Sequence, residues 1–112
     1  MSAAATASIQ AARLLCTELE TVLDALRQAV IRGDHEQVAE LVPQEEALMR
    51  RLAGLRLPEG ADPSAVLELR DAASRVTRLN TQNSILLREQ LALIQETIRL
   101  LVGDGRAVDR MA

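Results

Sequence analysis

The residues in this chain best placed to do chemistry are two side-chain amides. Asn80 and Asn83 stand three apart inside an apolar stretch that runs from Val66 to Leu101. An amide on the hydrophobic face of a helix loses its solvation and must find hydrogen-bond partners. Two readings follow. The pair can act as polar seam residues that fix register or oligomer state, a use asparagine has in coiled coils. It can instead present its amides to a partner's backbone or helix end in an otherwise apolar groove. In either case the chemistry is recognition, without bond breaking.

The remaining candidates are weaker. His35 and Cys16 are each the single residue of their type. A lone imidazole lacks the partners that catalysis or metal binding needs, so His35, close behind a helix cap, reads as solvated. Cys16 falls on an apolar seam with no basic neighbour to activate it, and reads as a small core residue. The pairs Glu18/Glu20 and Glu45/Glu46 read as solvated faces. Glu45 falls on the seam register of its segment, but Pro43 is expected to break that register, and no site is assigned. Gly-rich phosphate loops and nucleophile elbows are absent from the sequence. The chain therefore reads as a non-enzyme with no cofactor and no metal.

Composition narrows the elements that carry the amides. The chain has 112 residues, 48% of them hydrophobic, yet no Phe, Tyr or Trp. Without aromatic bulk, a thin core between helices is expected. Five Gly and three Pro are scarce and, Pro43 and Gly54 apart, fall between or at the ends of periodic segments, which suits a helical bundle. The 13 basic residues, all arginine, are outnumbered by 16 acidic ones and form no stripe, so no nucleic acid is expected as a partner. A single cysteine excludes an intramolecular disulfide and fits a reducing compartment. The opening MSAAATASIQAARLL lacks the basic and apolar regions of a signal peptide. No apolar run approaches the roughly 20 residues of a membrane span, so no membrane insertion is expected. These features predict a soluble, cytoplasmic protein.

The periodicity predicts an all-α fold, a three-helix antiparallel bundle or coiled coil with a long C-terminal helix, in one domain. The first helix, about 5–32, carries Ile9, Ala12, Cys16, Leu19, Leu23, Leu26 and Val30 on a heptad seam, and Gly33 stops it. Asp34 caps a second helix, about 34–55, with Gln37 in a capping-box position. Its seam is Val38, Leu41, Leu48, Leu52 and Leu55, and Pro43 predicts a kink or two short helices meeting. A loop at 56–62 ends in Asp62-Pro63, a strong helix start. The third helix, about 63–102, ends at Gly103 and leaves a tail, 103–112. At 1.5 Å per residue it is about 60 Å long against about 40 Å for the first, so it should protrude at its C-terminal end.

On this third helix the seam runs Val66, Leu69, Ala73, Val76, Asn80, Asn83, Leu87, then shifts to Leu91, Ile94, Ile98, Leu101. The two successive four-residue steps form a stutter. A second row, Leu79, Leu86, Leu93, Leu100, repeats every seven residues. Together they make an apolar arc of roughly 200° over 86–102, about twice what one packing face requires. Something else must cover it, either a second copy in a homo-oligomer or a different partner.

The phrase Leu79-Asn80-Thr81-Gln82-Asn83-Ser84-Ile85-Leu86-Leu87 resembles the FlgN family of flagellar export chaperones, which carry Asn-x-x-Asn and an apolar run at this point. Leu14-Leu15-x-x-Glu18-Leu19, the Gly33-Asp34 break and Glu45-x-x-Leu48-x-x-x-Leu52-x-x-Leu55 follow the same order of features. The resemblance implies a cytoplasmic helical chaperone of the flagellar type III secretion system. Such a protein binds the termini of hook-associated proteins (FlgK and FlgL) and hands them to the export gate. It also implies that the C-terminal helix carries the partner contacts: Asn80, Asn83, Leu86, Leu87, Leu91, Leu93, Ile94 and Ile98. The tail from Gly103 to Ala112 has no aromatic residue, so gate docking through a tail tyrosine is not carried over. The alternative is a self-associating coiled-coil adaptor with no secretion client.

Overall fold

The computed structural model describes residues 3–56 and 58–111, with side chains as far as residue 103. It is all-α: α1 (Ala3–Arg32), α2 (His35–Ala53) and α3 (Pro63–Met111). No strand occurs among the described residues.

The first helix contains neither Gly nor Pro, and its apolar residues recur at heptad spacing. All seven predicted seam residues, Ile9 to Val30, are buried, Leu19 fully so, and Ala29 beside the seam is fully buried too. It ends as its sequence requires. Gly33 takes φ +70, its N–H donates to the Val30 carbonyl at 3.1 Å, and the Asp34 N–H donates to the Ala29 carbonyl at 2.9 Å. This is a Schellman closure, and it needs a residue without a Cβ. One residue on, Asp34 caps α2 by accepting from the Gln37 N–H at 3.1 Å. Because the Asp34 N–H is already held by Ala29, this is a one-way cap and the reciprocal half of a capping box is not needed.

The second helix runs unbroken through Pro43, so the expected meeting of two short helices does not occur. Pro43 and Ala39, whose carbonyl the proline cannot donate to, both lie on the exposed side, where water replaces the lost bond. The helix stops at Ala53, where the Gly54 N–H returns to the Arg50 carbonyl at 3.0 Å. Leu55, expected on the seam, is therefore outside the helix and 46% exposed.

The third helix starts at Pro63 behind Asp62, whose Oδ1 accepts from the Ser64 N–H at 3.4 Å. It continues past Val102 to Met111, contrary to the expected stop and tail. Gly103 has no positive φ, unlike Gly33. Glycine costs a helix about 1 kcal/mol relative to alanine but removes no hydrogen bond. It terminates a helix when a left-handed closure follows, and none forms here.

Two ion pairs set the direction of packing. Arg13 meets Glu68 and Glu20 meets Arg75, both at 3.0 Å. Residue numbers rise together, so α1 and α3 run parallel, while α2 is antiparallel to both. These exposed pairs add little stability, about 0–1 kcal/mol each, but they record the register. Side chains of all three helices meet in one cluster around Cys16, Leu19, Leu23, Leu69 and Val76, closed by Leu48 and Leu52 of α2. A second cluster joins Leu26, Ala29 and Val30 to Leu41.

Leu19→Ala is expected to cost about 2–5 kcal/mol in urea denaturation, because its fully buried side chain would leave a cavity. Gly33→Ala meets no atom within 4 Å, so its cost is conformational alone, about 1–2 kcal/mol. A Gly33→Ala variant as stable as the parent would show that the closure does not hold φ +70.

Candidate interaction surface

The register decides which part of α3 is covered. Arg75 and its partner Glu20 are separated by 55 residues. Carried to the end of α1 at Arg32, that offset reaches Leu87 on α3. From Arg88 to Gly103 every residue is exposed. The molecule is accordingly elongated, 79 × 21 × 20 Å, with α3 as its long axis. The expected C-terminal overhang is present.

The proposed contact residues divide into three groups along this axis. Asn83 is in the core, 3% exposed, and its Nδ2 donates to the Leu23 carbonyl of α1 at 2.8 Å. That amide is engaged within the chain, which removes Asn83 from the residues a partner could touch. A carbonyl has two lone pairs, so Leu23 can accept this bond beside its helical one. Among the described residues no buried side-chain nitrogen or oxygen lacks a partner. Asn80 is half-buried, and its main-chain carbonyl accepts from Ser84 Oγ at 2.9 Å. Leu86 and Leu87 are half-buried against the Leu26–Leu41 cluster, so they serve the core more than a partner.

Leu91, Leu93, Ile94 and Ile98 form the third group. They lie on the overhang, 43% to 62% exposed, and Leu100, Leu101 and Val102 extend the same surface. Leu100 and Leu101 lie on the same heptad rows and Val102 closes the predicted arc, although none of the three is among the expected contact residues. Where the overhang leaves the α1–α2 hairpin, Val30, Gly33, Val38, Leu87, Leu91 and Ile94 line a groove of about 320 Å³. The exposed His35 stands at its rim.

The arc carries no charge. Arg88, Glu89, Glu96 and Arg99 project from the other side of the helix, where Arg99 pairs with Glu96 at 2.8 Å. Polar groups on the arc are Gln90 and Thr97, and the Thr97 hydroxyl is held by the Leu93 carbonyl at 2.9 Å. The surface can therefore bind by apolar burial, worth about 1.5–3 kcal/mol for each Leu or Ile fully covered.

Two titratable groups elsewhere are withdrawn from solvent, Cys16 and Glu45. Cys16 is 1% exposed, and burial pushes its thiol pKa up; Glu20 acts in the same direction and Arg75 against it. Such a thiol is unreactive. The unbroken α2 keeps Glu45 on the inward face despite Pro43, half-buried. Burial and then Glu46 raise its carboxyl pKa. Among the described residues no three His, Cys, Asp or Glu side chains come together as metal ligands. None of the described helices is long and apolar enough to cross a membrane.

The fold and this surface define an all-α helical bundle whose longest helix outruns the two that cover it. No family model, curated protein or solved structure matches the chain.

Asn83→Asp tests the buried bond. A carboxylate facing the Leu23 carbonyl should destabilise the fold by roughly 3–5 kcal/mol at pH 7, as an uncompensated buried charge does. Stability should recover in acid, where the protonated group can donate. Urea denaturation at pH 7 and pH 4 measures both, and a pH-independent loss would refute the assignment. Glu45→Gln should stabilise the protein at neutral pH. With the folded pKa raised, the ionised carboxyl burdens the native state above that pKa. The advantage of the variant should therefore shrink as pH falls through it.

Proposed function

We propose that this chain is a non-catalytic export chaperone that holds amphipathic helical termini of a hook–filament junction protein, of the FlgK or FlgL type. It acts in the cytoplasm and passes its client to the flagellar type III export gate. The observation that carries this reading is the charge-free apolar arc of α3 beyond the end of α1, exposed from Leu91 to Val102. Monomeric proteins rarely leave a contiguous surface of this kind bare unless something binds there. The heptad spacing of its rows suits a helix laid lengthwise, the helix-in-groove mode of peptide recognition. The motif resemblance supplies the client class.

Asn83 then serves as a register-fixing seam residue, one of the two roles its spacing allows, and not as an amide offered to a partner. Asn83 holds the root of the overhang against α1, and Asn80 sits beside it, half-buried. The client contacts fall to the leucines and isoleucines further along. Release for export requires moderate affinity, and a solvent-open ridge supplies that better than an enclosed cleft.

Self-association is the competing reading, because a charge-free arc does not repel a second copy. Light scattering on the purified chain, alone and with a hook-associated protein, separates the two. The chaperone reading expects the client to co-elute and Ile94→Glu to abolish co-elution without lowering the melting temperature. A tight oligomer that buries the overhang and ignores the client would sink it.

A further inference from the structure

The overhang is the continuation of a surface that already has two occupants. Within the bundle, three heptad rows of α3 face inward. The central row, Leu69, Val76 and Asn83, is buried. On one side runs Ala72–Leu79–Leu86; it lies one turn from Glu68 and Arg75, which are ion-paired to α1. On the other side runs Ala73–Asn80–Leu87. Ala73 shares a groove with Leu52 and Leu55, and Leu87 shares one with His35 and Val38, so this row looks toward α2 and its ends.

Past Leu87 the rows continue but their character changes. The central row becomes polar, with Gln90 and Thr97. The α1-side row remains apolar as Leu93 and Leu100. The α2-side row remains apolar as Ile94 and Leu101, with Leu91 and Ile98 beside it. The overhang thus presents two apolar ridges parted by a polar strip. The Thr97 hydroxyl in that strip is already bonded to Leu93 and can be closed over without loss. One packed helix needs a stripe of about 100°, and this arc spans about twice that.

We propose that the overhang receives two amphipathic helices of one partner molecule side by side, one on the Leu93–Leu100 ridge and one on the Leu91–Ile94–Ile98 ridge. The partner thereby completes a three-helix bundle stacked end to end on the α1–α2 hairpin. This rests on the reading of the overhang as the client site and adds the number and placement of client helices. Continuity with the intramolecular interface argues for it, since one flank of α3 already packs on α1 and the other borders grooves whose far walls include side chains of α2. A second copy of the chain offers a single overhang and would leave one ridge bare.

The test uses the full chain bound to a hook-associated protein, with a benzophenone photo-crosslinking side chain introduced at position 93 or at position 98. Both sites are exposed, so the fold is undisturbed. The proposal expects crosslinks from the two positions to map to two different helical segments of one client molecule. It also expects Leu93→Glu and Ile98→Glu each to weaken binding at least tenfold. Crosslinks from both positions to the same segment, or sensitivity at one ridge only, would overturn it and leave the chaperone reading standing. Crosslinks to a second copy of this chain, or no client binding by the unmodified protein, would overturn both.

Discussion

The amide of Asn83 reaches the carbonyl of Leu23 at 2.8 Å, and that contact fixes which residues of α3 lie beside α1 and which lie beyond it. Apolar seams alone are poor at this. A heptad row can slide by seven residues and bury a similar set of leucines, so hydrophobic burial leaves register degenerate. A buried amide narrows the choice, because only registers that set its Nδ2 against an α1 carbonyl leave it paired. The exposed pairs Arg13–Glu68 and Glu20–Arg75 agree with that register while adding little energy of their own. With register set, the position of the overhang follows from helix lengths alone.

The absence of aromatic residues has a matching structural effect. The buried residues are Leu, Val and Ile9 interspersed with small ones, Ala5, Ala12, Cys16, Ala29 and Ala72, beside the amide of Asn83. A bundle of this kind is slender, about 20 Å across, and its capacity to bury apolar area is used up along the length of α1. Neither α1 nor α2 reaches the end of α3, where every residue from Arg88 to Gly103 is exposed. The exposed leucines are therefore a consequence of the chain's architecture and not of a loose core.

Much of this was readable in the sequence because the signals were local. The seam of α1, the Gly33–Asp34 break and the Asp62-Pro63 start each depend on neighbours within a turn or two. The errors arose where a nonlocal fact decided. Pro43 leaves α2 in one piece because it faces water, on the side opposite the Leu41 seam, so residue type alone predicts a break that its facing removes. Gly103 was read as a stop because glycine often is one, but termination also requires a favourable closure after it. Asn80 and Asn83 look equivalent on a helical projection. Only the position of α1 separates them, placing one amide against a carbonyl and the other at the margin. The surface from Leu91 to Val102 was found because its width exceeded what any single neighbour could cover.

The continuation of α3 through Gly103 bears on how the overhang keeps its shape. Starting a helix is the unfavourable step, and each further turn added to an existing one is nearly neutral. As a separate peptide, the segment beyond Leu87 would hold little structure in water. Joined to a bundle whose packing has already nucleated the helix, it grows outward from a fixed root. The bundle thus acts as a seed crystal for its own overhang. The far turns, remote from the seed, are the first to melt and the last to form.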